Sequence, residues 1–577
     1  MKVFFRSFFA SLLAITVVFA VIVMVIAAKS GEKSKIKDHS YLVVDIYGEI
    51  SEYNPPAGIM GEILGGKPET LQRVLGNLEK AAVDDRIDGV IVKLSGSNNL
   101  FLAKLEEIRG AIKKVQKSGK KVYGFADSMN RKTYFLAAAC DSVFMPPSAY
   151  FTFVGFATVT EHVKGTLEKL GIKPNLHRIK DYKSAAEMIT RDDMSPTARE
   201  NKEWMLDEYW DMYVASLGED RGFTEEQIVG FMDHAMFQPD EALEAGLIDR
   251  ILYWDELEEM LKQEDDEKLR TVYASRYDEE KAAKLGLKGK KTIAVIHAQG
   301  MIGGRTSKID PMFGVMMGHE TVNADLRRAR RDEDVAAVVF RVDSGGGESL
   351  ASDLISREVE AVKDEKPIIS SMVDVAGSGG YMIAYRASKI VADPMTITGS
   401  IGSISMKFNM KGFYDKIGMT HDHVERGPNA LMWSDLRDFT DEERARFEAA
   451  HWKGFNWWLA DVAEERGMTF EEAEKLAHGR VWTGRQAKAN GLVDEVGGLD
   501  RAIEMAKELA GIPADEKVTV VHYPEKKSLF DIMIGGGGDL TAAAKYVVYR
   551  FIRNDLAETW NTMTREPVHM MEPVEVR

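Results

Sequence analysis

Two serines in the rear half of the chain sit among glycines in a pattern that could support acyl chemistry. Ser378 opens Ser378-Gly379-Gly380-Tyr381-Met382, and Ser400 lies inside Thr398-Gly399-Ser400-Ile401-Gly402-Ser403. A third turn, Ser344-Gly345-Gly346-Gly347-Glu348, follows the apolar run VVFRV. Glycine allows close backbone approach and positive φ, and successive N–H groups in such turns form anion-binding nests. A nest of this kind could hold a phosphate or the oxyanion of acyl transfer. Phosphate binding calls for GxxxxGK[ST], or GxGxxG after a first strand; neither occurs in that context. The oxyanion reading needs a nucleophile, and both Ser378 and Ser400 qualify.

A serine also needs a base. The rear-half histidines, His421, His423, His451 and His478, lie in segments without triad context. The alternative is a lysine kept neutral by burial, which lowers its pKa from about 10.4, and composition alone does not choose one. Other chemistries are narrowed by counting. The single cysteine, Cys140, excludes an internal disulfide framework, a thiolate metal cluster and a CxxC redox pair. Lysine plus arginine number 75 against 91 aspartates plus glutamates, a net charge of −16 with no long basic block, which argues against nucleic acid as a partner.

The elements that must position these residues come in duplicate. YLVVDIYGEISEY (41–53) resembles TIAVIHAQGMIGG (292–304), and DGVIVKLSG (88–96) resembles AAVVFRVDS (336–344). Tyr134, Pro147 and Gly155 match Tyr381, Pro394 and Gly402 at a constant offset of 247, and EALEAGLIDRI (241–251) matches QAKANGLVDEV (486–496) at 245. Each copy alternates β-branched apolar runs with amphipathic helical segments, which predicts an α/β domain with a parallel sheet and right-handed crossovers. The copies differ where chemistry is expected. At offset 247, Ser400 faces Phe153 and Lys183, within IKDYKSAAE, faces Ala430. The glycine turns of the rear copy face GSNN (96–99) and NRKTYF (130–135). One copy thus keeps a lysine and the other a serine with its nest, the pattern that two ancestral dyads would leave if each lost one member, though any two positions of a repeat can differ.

Four motifs together, DYKSAAE around Lys183, SGGYM (378–382), ADPMTITGSIG (392–402) and GRVWTGRQAKANGLVDEVGG (479–498), resemble the signal peptide peptidase A family in its long tandem form, also called protease IV. That family belongs to the ClpP/crotonase-like superfamily, so the resemblance implies two tandem crotonase-like αβ domains. It implies a Ser–Lys dyad with Ser400 as nucleophile and Lys183 as general base, and it leaves Ser378 as the rival. The family's Asn-Pro-Gly-Gly oxyanion motif falls on Ser344-Gly345-Gly346-Gly347, which implies Gly346 and then Gly347 as donors, with Gly379 and Gly380 as a supporting turn. The Asn-Pro pair is missing here, and Gly345 lacks the fixed φ of proline. No metal or cofactor is implied. Glu187 is expected as a supporting carboxylate, since an anion beside Lys183 would raise its pKa and oppose its role.

The implied substrates are signal peptides already released by signal peptidase, and the implied assembly is a homotetramer. Phe8 to Ala28 are 21 residues without a charge, long enough to span ~30 Å of hydrocarbon. The run exceeds the usual signal-peptide core and reads as a single-pass anchor, with Ala27-Ala28 leaving cleavage open. Lys29, Lys33, Lys35 and Lys37 oppose export by the positive-inside rule; the family implies the cytoplasmic membrane with the catalytic body in the periplasm. The expected organisation is an anchor and juxtamembrane segment (1–40), a lysine-donating repeat (41–261), a linker (262–290), a repeat carrying nucleophile and oxyanion turns (291–515) and a tail (516–577) whose segment TAAAKYVVYRFIRNDL reads as a peripheral helix. The rival readings are a crotonase-like acyl-CoA enzyme and a catalytically inactive membrane scaffold.

Overall fold

A computed structural model describes residues 36–53, 69–96, 98–310 and 314–525. The expected anchor at Phe8–Ala28 and most of the tail lie outside the described residues. Among the described residues no helix is long and apolar enough to cross a membrane.

The two copies build two parallel sheets of matching strand order. In the front half the order is Thr271–Tyr273, Ser40–Asp45, Ile87–Leu94, Lys121–Ala126, Ser142–Met145 and Arg250–Ile251, all parallel. In the rear half Val518–Tyr523, Lys291–Gln299, Val335–Ser344, Ile368–Gly377, Lys389–Ala392 and Glu495–Val496 repeat it. Central strands are buried on both faces, as VIV (90–92) and AVVF (337–340) show. This is the continuous apolar pattern of a parallel sheet covered by helices.

The expected boundaries shift at two edges. Residues 271–273, inside the expected linker, are an edge strand of the front sheet, and 518–523, inside the expected tail, are its rear counterpart. The runs TVY and VTVVHY carry no Asp, Glu, Lys or Arg but are flanked by charged residues, so the stretch around each resembles a surface segment. Pairing with a buried neighbour decides their conformation instead.

A second layer of strands rises from the sheets. In the rear half, Ile397–Gly399 pairs with the end of Ile368–Gly377 and, antiparallel, with Val481–Thr483. In the front half, Tyr150–Phe153 pairs with Ser128–Met129 and Ala235–Phe237 in the same arrangement. The position matching Ser400 is thus Phe153, fully buried among Tyr134, Phe151, Tyr213 and Phe231. In the front copy this position is part of the core.

The halves are joined by an antiparallel pair, Lys173–Ile179 of the front with Ser403–Asn409 of the rear, in register Ile179 to Ser403. Buried charges join them again. Arg341, fully buried, donates to Glu52 (2.9 Å) and Glu107 (2.7 and 2.6 Å), and Lys104 pairs with Asp343 (2.6 Å) and Asp374 (3.0 Å).

Candidate active site

The strand that crosses between the halves also delivers the lysine. Extending its register past Ile179 and Ser403 brings residues 182–183 alongside 399–400. Lys180 turns the chain with φ +77°, and Lys183 precedes the short turn Ser184–Ala186. Its Nζ lies 2.8 Å from Ser400 Oγ and donates to the Ser400 carbonyl at 2.7 Å. A neutral amine has two N–H groups to donate and one lone pair to accept the serine proton. Lys183 is only 7 % exposed. Burial alone brings its pKa down from 10.5 to about 7, and no carboxylate among the described residues pairs with it.

Glu187 serves the position of the lysine, not its charge. Its carboxylate accepts from Arg178 (2.8 Å), from the Ser195 N–H (2.9 Å) and from the Ser195 hydroxyl (2.7 Å). Burial pushes its pKa up, but the bonds from Ser195 and Arg178 outweigh that and hold it below the usual carboxylate range. The lysine turn is thereby tied to the start of the helix Pro196–Arg221, which Ser195 caps.

Ser400 holds φ +50° and Ser378 φ +56°, both in the left-handed region that non-glycine residues rarely occupy. Such strain gathers at functional turns. The Ser378 N–H donates to Gly399 O at 2.9 Å, so the rival serine sits one turn away on the neighbouring strand. A methyl placed on Gly377 would lie 3.5 Å from Ser400 Cβ. The third turn stacks on this pair: a methyl on Gly346 would meet Gly379 N at 2.6 Å and Ser378 Cβ at 2.9 Å, which glycine alone avoids.

The two glycines expected as oxyanion donors differ in how their N–H groups are engaged. The Gly346 N–H donates to the Ser344 hydroxyl at 3.1 Å, and that hydroxyl donates to Gly300 O at 2.6 Å. Among the described residues the Gly347 N–H has no such partner, and it faces Gly379. The serine standing in the family's asparagine position folds back on the turn and occupies the first donor. Gly379 and Gly380 open the helix Gly379–Met382 against this turn. The histidines stay out of the pair. His451 Nε2 lies 2.7 Å from Ser403 Oγ, not Ser400, and its Nδ1 lies 2.8 Å from His177 Nδ1; His421 and His423 are exposed. Among the described residues no group of three metal-ligating side chains gathers.

Sequence reasoning marked His478 as a candidate base and 479–498 as a motif of resemblance, but missed that the segment His478–Val481 lies against the pair. His478 O accepts from Tyr182 N–H (2.9 Å), Gly479 N–H donates to Ile401 O (2.8 Å) and Arg480 O accepts from Ser400 N–H (2.7 Å). It touches both members of the pair through its backbone, not through the His478 side chain that made it a candidate. Asn201, which holds Val481 by two bonds of 3.2 and 3.1 Å, gave no signal.

The sequence model of peptidase family S49 matches residues 114–268 and 360–513, once in each half. The chloroplastic serine protease SPPA of Arabidopsis thaliana is 35% identical over 513 residues, covering 88% of this chain and 74% of that protein. Protease 4 of Salmonella typhi is 29% identical over 561 residues, 93% of this chain and 89% of the relative. Protease 4 of Haemophilus influenzae is 30% identical over 475 residues, 79% and 76%. A solved ClpP1 mutant from Listeria monocytogenes overlaps 37% of this chain and 95% of its own at TM-score 0.23 and 14% identity, too loosely to bear on the site. The chain belongs to peptidase family S49, a serine protease with the family domain in tandem.

Proposed function

We propose that this protease is a membrane-anchored endopeptidase in which Lys183 activates Ser400, and that it degrades signal peptides after their release. The observation that carries the reading is the 2.8 Å separation of Lys183 Nζ and Ser400 Oγ within one chain, inside the reach needed for direct proton transfer. Neutral Lys183 takes the Oγ proton as Oγ attacks the peptide carbonyl. The Gly347 N–H is the first donor to the resulting oxyanion, a contribution of roughly 2.7–4 kcal/mol. The lysine then passes its proton to the leaving amine, and water releases the acyl group from Ser400 by the reverse route. No cofactor enters this sequence.

The substrate class rests on the family resemblance and on the apolar run Phe8–Ala28, which would hold the protease beside membrane-resident peptides. The same reading assigns a homotetramer in the cytoplasmic membrane with the body in the periplasm. The test uses the full-length chain in detergent with a labelled synthetic signal peptide. Cleavage by wild type, and loss by about 10³-fold or more in Ser400→Ala and in Lys183→Ala at unchanged particle size, is expected. Full cleavage by Ser400→Ala, or turnover of an acyl thioester with no peptide cleavage, overturns the proposal.

A further inference from the structure

Lys183 and Ser400 come from different halves, so something must fix one against the other to within about half an ångström. The segment His478–Val481 lies against both. Its carbonyls at 478 and 480 take the N–H groups of Tyr182 and Ser400 at 2.9 and 2.7 Å. Gly479, at φ +76°, passes so close that a methyl there would lie 2.4 Å from Lys183 N and 2.7 Å from its Cα and Cβ. The strap is therefore packed directly on the lysine's backbone and the root of its side chain.

What presses the strap down is the side chain of Arg480. Its guanidinium carbon stands 3.6 Å from the centre of the Trp204 ring and 5.0 Å from those of Tyr182 and Trp482. Trp204 meets Trp482 edge-on at 5.4 Å. Tyr182 and Trp204 belong to the front half and Arg480 and Trp482 to the rear, so the cage closes across the junction. Glu200 completes it, accepting from Tyr182 Oη at 2.9 Å and lying 3.4 Å from Arg480. The side chain is 15 % exposed, and its Nε is buried without a hydrogen-bond partner. Stacking in the cage, more than hydrogen bonding, holds it. A planar guanidinium suits such a cage and an ammonium does not.

We propose that Arg480 is a positioning residue for the Lys183–Ser400 pair: seated among Tyr182, Trp204 and Trp482, it clamps the strap over the lysine, fixing the Ser400 backbone and sealing the amine from water. The inference rests on the peptidase reading above. Its action is steric. The charged and titratable groups near Lys183 on the adjoining elements are Lys180, Asp181, Tyr182, Glu187, Glu200, Glu474, His478 and Arg480. Lys180 pairs with Glu474, Glu187 with Arg178, and Glu200 with Tyr182 and Arg480. Burial alone accounts for the lowered lysine.

The test is the pH dependence of labelling by a fluorophosphonate, with peptide turnover measured beside it, on the full-length protein. Wild type labels with a midpoint near the lysine pKa and Ser400→Ala does not; a Ser400→Ala protein that still labels or cleaves defeats the peptidase reading itself. Given that control, Arg480→Ala, Arg480→Lys and Trp204→Leu let water reach the amine. Each should raise the midpoint by about one pH unit or more and lower kcat about tenfold, with KM nearly unchanged. Thermal melting identifies any variant that fails to fold, and the remaining variants then decide. A midpoint unmoved in the folded variants, whatever happens to the overall rate, overturns the clamp.

Discussion

A lysine acts as a base only while uncharged, and among the described residues Lys183 is buried without a counter-ion. That sets two expectations at the residue scale. In the proposed mechanism, kcat/KM should rise as pH climbs through about 7, where Lys183 loses its proton, and then level off. A pH profile with its acid limb near 4 would point to another base. The second expectation concerns stability. The folded pKa lies below the unfolded one, so the unfolded chain binds more protons between about 7 and 10.5. Holding the proton in the folded state is a cost fully present below pH 7, and it fades as pH rises towards 10.5. Each tenfold loss of proton affinity on folding costs about 1.4 kcal/mol. Lys183→Met should therefore stabilise the protein by a few kcal/mol below pH 7, and by less as pH rises. Urea unfolding of both proteins at pH 6 and pH 9.5 measures the difference. Ser378→Ala should keep most activity, because among the described residues its hydroxyl has no basic partner.

Elements carry the geometry that single residues cannot. The left-handed turn at Gly479 lets the strap lie on Lys183, and Gly479→Ala adds a methyl 2.4 Å from the lysine backbone at φ +76°. The expected result is a loss of turnover of about 100-fold or more with Ser400 otherwise intact, since a displacement near 1 Å at reacting atoms has effects of that order. Glu187→Ala releases Arg178 and Ser195 together and should lower both the melting temperature and turnover; Glu187→Gln, which can still accept from Ser195, should fall between. The motif GRVWTG was visible in the sequence as a mark of resemblance, but nothing in its residue types said that it would touch both halves of the site. Asn201 was invisible, because a buried asparagine that holds a distant backbone looks like any other helical asparagine.

At the scale of the whole molecule, the site exists only while two repeats stay docked. Arg341 bridges Glu52 and Glu107 across that junction with all three side chains buried. Removing the guanidinium in Arg341→Met leaves two buried carboxylates unpaired, and a destabilisation of about 3–5 kcal/mol is expected in urea unfolding. Activity should fall in step with the folded fraction. Phe153 and its aromatic neighbours occupy, in the front copy, the place of the rear serine. The front segment 173–183 does what its rear counterpart, 420–430, does not, which is to cross over and pair with the other half; the rear segment is exposed and forms no strand.

The chain by itself determined the repeat, the parallel α/β character of each copy, the three glycine turns and the complementary loss of one serine and one lysine. These are properties of local composition and spacing, and hydrophobic periodicity and glycine record them wherever they occur. Tertiary structure alone decided that Lys183 and Ser400, separated by more than 200 residues, stand 2.8 Å apart. It also decided that Gly346 rather than Gly347 is occupied by a serine hydroxyl, and that two runs flanked by charged residues close the sheets as edge strands. Each depends on which distant surface a segment meets. No local pattern encodes the antiparallel register of 173–179 with 403–409, on which the distance between amine and alcohol depends.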